Sequence, residues 1–202
     1  FKQKTAYEML RSLVGSEMCI RDRLIGAPVE TFLTSRKVSE IQSAVEALGQ
    51  LGPRAESVTL LLLKYTELII DQKKVIPVFA ILAMAQIEPQ ADDVRKMMES
   101  LIGGPDALLD EQLCAAGRAV SRPELIKQYS NMKVSPERMA KTLIKGVMNT
   151  RKDHVPLLNA LADCGAAARP YLPLLQDLEE DHQDENVRAA ARRCINEINR
   201  KK

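Results

Sequence analysis

Two histidines, a few carboxylate runs and scattered thiols are what this chain offers toward chemistry. His182 stands among Asp181, Asp184 and Glu185. Such a donor set accepts a divalent metal in principle, but in a polar loop between two helices a solvated cluster is the plainer reading. His154 follows Asp153 at an expected helix start, where capping or surface placement is expected. Glu179-Glu180-Asp181 and Asp92-Asp93 bring carboxylates together, as acid–base catalysis would need. Both runs fall at expected helix ends, where water serves them better than a substrate does. No Gly-rich phosphate loop, nucleophile elbow or His-Glu-x-x-His motif occurs, and Gly103-Gly104-Pro105 reads as a turn. No catalytic residue, cofactor site or metal ligand is therefore assigned, and the chain is not expected to be an enzyme.

The thiols and the charges are equally bland. Cys114, Cys164 and Cys194 are widely spaced on apolar helix faces, which fits small buried hydrophobes better than a disulfide framework or a metal site. Reduced thiols point to a cytoplasmic setting. Phe1 to Arg23, which includes Cys19, is read as a segment apart. Its runs Phe1–Met9 and Leu13–Arg23 resemble translated DNA-sequencing adapters, so it is expected to be non-native, with residues 24–202 the C-terminal part of a longer protein. Of 29 basic and 27 acidic residues, five and three lie in that segment, which leaves the remainder neutral. A neutral chain offers no general attraction to nucleic acid or to anionic membranes. Lys73-Lys74, Arg151-Lys152, Arg192-Arg193 and Arg200-Lys201-Lys202 are basic clusters, but acids intervene between them. No apolar run reaches the ~18 residues that a membrane span needs. Val58 to Ile70 comes nearest and is broken by Lys64, Tyr65, Thr66 and Glu67.

The elements carry more information. Val187, Ala190, Ala191, Cys194, Ile195 and Ile198 form one apolar stripe at helical spacing. Val58, Leu61, Leu62, Tyr65, Leu68 and Ile69 form another, and Val78, Ile81, Leu82 and Ala85 a third. No stretch alternates with the period of a strand. Ser121-Arg122-Pro123-Glu124 reads as a capping box, and Ser135-Pro136-Glu137 as an N-cap followed by proline at the first helical position. Gly52-Pro53, Gly103-Gly104-Pro105 and Gly165 mark helix ends. Helices are expected over 38–51, 55–71, 74–87, 90–102, 106–119, 123–131, 136–149, 153–164, 169–180 and 184–200.

A motif recurs along these helices. It reads Ala47-Leu48-Gly49-Gln50-Leu51-Gly52-Pro53, then Ala83-Met84-Ala85-Gln86-Ile87-Glu88-Pro89, then Ala160-Leu161-Ala162-Asp163-Cys164-Gly165, with a partial copy at Cys194-Ile195-Asn196-Glu197-Ile198. The anchors lie 36, 77 and 34 residues apart, and 77 is close to two periods. That period in an all-helical pattern marks stacked helical hairpins. The segments His154–Glu180 and Asp184–Ala190 resemble the HEAT-repeat family, whose near relatives are armadillo repeats. The likeness is good over 24–102 and 150–202, while 104–149 reads as degenerate middle repeats. Glu88 and Glu197 depart from it where glycine is usual.

The resemblance implies an all-α solenoid of about four to five HEAT-like repeats. Asp184 would cap the helix after it, and Arg188 would bridge to a neighbouring repeat. The implied function is a protein–protein interaction scaffold whose partner is another protein. Lys64, Glu67, Arg95, Glu99, Gln176 and Glu179 form the candidate binding face. The alternatives are an accessory module of a larger enzyme and, more weakly, a nucleic-acid-binding or lyase-type solenoid. Leu24, Ile25, Val29 and Phe32 are expected to leave an exposed apolar end.

Overall fold

The computed structural model describes residues 23–35, 37–73, 77–105 and 121–200, and every element among them is helical. The α-helices are α1 Arg23–Thr34, α2 Val38–Gln50, α3 Thr59–Lys73, α4 Val78–Ile87, α5 Asp92–Ile102, α6 Arg122–Asn131, α7 Pro136–Asn149, α8 His154–Asp163, α9 Leu172–Asp181 and α10 Glu185–Arg200. The expected helix over 106–119 lies outside the described residues, as does the segment 1–22. The described residues fall into two compact units, and the boundary passes inside α5 between Val94 and Arg95.

Local sequence caps three of the helix starts. Ser135 has extended backbone, and its side chain accepts from the Arg138 backbone N–H at 3.3 Å, with Pro136 at the start of α7. Ser121 does the same for the Glu124 backbone N–H at 3.4 Å. The Asp184 carboxylate accepts from the Asn186 backbone N–H at 2.8 Å ahead of α10, the capping role expected of it. The described part of the middle stretch, 121–149, forms two helices, α6 and α7, parted by a turn in which Lys133 takes a φ of 52°.

Two expected helices begin differently from their sequence reading. The segments 55–71 and 169–180 each start with a 3-10 turn, Gly52–Val58 and Gly165–Tyr171, before the α-helix. In both, the preceding helix ends on an α-conformation residue, Leu51 or Cys164, and the next is a left-handed glycine, Gly52 at φ 58° or Gly165 at φ 55°. A left-handed backbone costs any other residue roughly 1 kcal/mol or more. Glycine therefore breaks the α-helix there and lets the chain re-enter at a tighter pitch. The second motif copy has Glu88 at that point, with φ −127° and ψ 73°, and the chain passes to α5 with no 3-10 segment.

In the first unit α1 packs on α2, α2 on α4, and α3 on α4. The α2–α4 contact joins the first two motif copies. A Cβ placed on Gly49 would come within 3.0 Å of the Ala83 Cα and closer still to the Gln86 side chain. Small residues at the anchor are thus what lets the two backbones approach. Every residue of α4 except Gln86 is buried, including Phe79, Ile81 and Met84. An exposed apolar end at Val29 and Phe32 is not observed. Both are buried, and the Phe32 ring meets Tyr65 edge-on with centroids 4.9 Å apart. Aromatic edge contact and the α1–α2 packing outcompete exposure there; the side chains of Leu24 and Ile25 lie outside the described residues.

In the second unit α8 packs on α10, α9 on α10, and α7 on α8. Of the apolar stripe expected on α10, Val187, Ala190, Ala191, Cys194 and Ile198 are buried, while Ile195 at its edge is half-buried. Among the described residues Arg122 is the largest fully buried side chain. It donates to the Ile102 carbonyl at 3.1 Å and the Gly104 carbonyl at 3.2 Å, and its Nε pairs with Asp153 at 3.3 Å. Asn149 donates to the Gly103 carbonyl at 2.7 Å. These donors reach carbonyls in and just before the Gly-Gly-Pro turn, in line with the cost of burying an unpaired backbone group.

Candidate interaction surface

Four consecutive leucines, Leu60 to Leu63, open α3. Successive residues on a helix turn by about 100°, so four in a row sweep most of its circumference. One of them must face away from the core. Leu61 and Leu62 are buried, Leu63 is half-buried, and Leu60 is 52% exposed. Leu60 lies in an open groove of about 950 Å³ whose walls are the Gly52–Val58 turn, the start of α3 and the α4–α5 connection. Its apolar lining includes Leu60, Leu63, Met84 and Val94, all from the first unit.

Lys64 and Glu67 continue along α3 from this groove, one turn apart, and both are exposed. The other members of the expected face sit in the second unit, and two of them hold that unit together. Glu99 on α5 is half-buried, accepts from the Tyr129 hydroxyl at 2.7 Å and pairs with Arg138 of α7. Burial of the Tyr129 ring, followed by the Glu99 carboxylate, pushes its phenol well above the ordinary range. Glu179 on α9 pairs with Arg192 of α10 at 2.7 Å. Arg95 is half-buried on α5, and Gln176 is exposed on α9. Contacts that fold the unit are made by carboxylates that spacing alone marked as available.

The histidines also differ from their expected placement. His154 is buried rather than on the surface, and its ring meets that of His182 edge-on at 5.0 Å. The loop between α9 and α10 folds back over the start of α8, so an imidazole can leave water without leaving polar company. His182 Nδ1 accepts from the Asp184 backbone N–H at 3.1 Å, so the ring is used in the turn. Arg188 makes no bridge to a neighbouring hairpin among its described bonds. It donates to the His182 carbonyl at 2.7 Å and reaches Glu185 of its own helix at 3.4 Å. Among the described residues no three His, Cys, Asp or Glu side chains gather as a metal site would require.

Sequence reading missed the groove. The available signal was the leucine run itself, which is longer than the buried arc of a helix packed on one side. No family model, curated protein or solved structure matches the chain.

Proposed function

We propose that this chain is an α-solenoid of HEAT-like repeats that binds another protein and performs no chemistry of its own. The observation that carries this is the coincidence of sequence and backbone at two distant places. The motif copies at Ala47–Gly52 and Ala160–Gly165 each end a helix, place glycine at a positive φ and enter a seven-residue 3-10 turn before the next helix. In each unit the helix bearing one copy packs on the helix bearing the next, α2 on α4 and α8 on α10. A repeat of one supersecondary unit, each burying the face of its neighbour, is the logic of a solenoid. Such folds act by presenting surface. The exposed Leu60 groove and the adjoining polar side of α3 supply one. No helix among the described residues is long and apolar enough to cross a membrane. Cys164 and Cys194 stay as thiols outside any disulfide, which fits a reducing, cytoplasmic setting.

The test is capture from an extract of the source cells on the immobilised full chain, with saturable binding measured afterwards on the purified partner. A protein retained in fixed stoichiometry is the expected result. A chain that retains nothing above a denatured control, or that turns over a substrate unaided, sinks the proposal.

A further inference from the structure

The rim of the Leu60 groove is acidic. Among the described residues that line it, Glu56 on the 3-10 turn, Glu88 after α4 and Asp93 on α5 stand against the guanidinium of Arg54. This three-to-one excess is local, because the whole chain carries 29 basic and 27 acidic residues. The floor between these charges includes Leu60, Leu63, Met84 and Val94, and Leu60 is 52% exposed. A groove with an apolar floor and an anionic rim selects by both properties at once. Phosphate backbones and anionic lipid surfaces are repelled by such a rim. An acidic peptide would bring like charge against like across the groove.

We infer that the groove of the first unit receives a basic amphipathic segment of a partner protein. One apolar side chain of that segment seats on Leu60 and Leu63, and Lys or Arg on either side face Glu56, Glu88 and Asp93. This rests on the proposed binding role and specifies the partner's chemistry at one site. The apolar seat supplies most of the affinity, since contacts at a centre shielded from water dominate binding. The rim supplies selection and speed of encounter, and salt weakens its share.

The probes are two fluorescein-labelled amphipathic peptides of about four helical turns. One carries Leu on one face and Lys on the other; the second has Glu in place of every Lys. Anisotropy titration of each is run on the full chain, on Glu88→Lys/Asp93→Lys, on Leu60→Asp and on Glu137→Lys, a charge control outside the residues that line the groove. The Lys peptide is expected to bind the unaltered chain at least about tenfold more tightly than the Glu peptide. The double reversal should weaken it about tenfold and invert the preference, Leu60→Asp should weaken it by a similar factor, and Glu137→Lys should leave it within roughly twofold. All these positions lie at the surface or its edge, and far-UV circular dichroism checks that each variant folds. Should Leu60→Asp unfold, the double reversal still decides. Equal binding of both peptides, no binding of either, or equal loss with Glu137→Lys overturns the inference. So does a groove filled by a second copy, read as a dimer in sedimentation that Leu60→Asp dissolves. The two proposals fail separately. A captured partner indifferent to the double reversal removes the basic-segment inference and leaves the scaffold, whereas a chain that captures nothing removes the scaffold.

Discussion

Arg122 shows how much a single side chain decides in the second unit. Its guanidinium is fully buried, yet it has two carbonyls and a carboxylate to answer it. Removing one partner of such a set leaves the others desolvated and unmet, at a cost of about 3 kcal/mol. Arg122→Met is therefore expected to lower the urea midpoint with an unchanged slope, and Arg122→Lys to recover only part, since an ammonium cannot reproduce the planar fork. A variant as stable as the parent would show that the cluster contributes nothing net. The thiols make a second contrast. Burial, then the nearby Cys164 and Asp163, pushes the Cys194 thiol up to about 12. Cys164 is only half-buried. Iodoacetamide at mildly alkaline pH should label Cys164 well before Cys194 in the native chain, as peptide mass mapping reads directly. The raised thiol favours the folded state fully below the unfolded value near 9 and progressively less as pH climbs toward 12. Stability should thus fall across that alkaline window, and Cys194→Ala should flatten the fall.

At the scale of the element, the two glycines of the first motif copy do different work. Gly49 gives α2 and α4 their close approach, and a methyl there meets backbone at 3.0 Å. Overpacking of that kind costs about 1–3 kcal/mol. Gly52 has open space around it, with the nearest atom 3.8 Å from where a methyl would stand, but its φ of 58° penalises any side chain. Gly49→Ala is expected to destabilise by strain between helices, Gly52→Ala by roughly 1 kcal/mol of backbone strain alone. A companion Gln86→Ala should relieve part of the first cost and none of the second, which a double-mutant cycle in urea separates. Equal relief in both would mean that the turn, not the helix contact, limits the fit.

For the molecule as a whole, a solenoid predicts that damage stays close to where it is made, since each repeat contacts only its neighbours. Gly49→Ala should lower hydrogen-exchange protection in α2 and α4 while α8 and α10 keep theirs. Uniform loss across all four helices would mark one cooperative core and weaken the repeat proposal. The same scale holds the question of use. The chain's net charge is small, but the charge around the Leu60 groove is not, and local excess rather than the total is what a partner meets at contact distance.

Helix content, most helix ends and the buried stripe of α10 were legible in the residues. Caps, prolines and a 3.6-residue period act over a few positions and depend little on what lies beyond. The motif likewise foretold where small residues recur, and Gly49 against Ala83 gives that recurrence its physical sense. Other features were decided by the tertiary structure. The burial of His154, the inward turn of Phe32, and the binding of Glu99 and Glu179 by arginines on other helices each depend on which element lies opposite. Spacing along one helix says which residues share a face. Only the packing of a second helix says whether that face meets a core, a counter-charge or water.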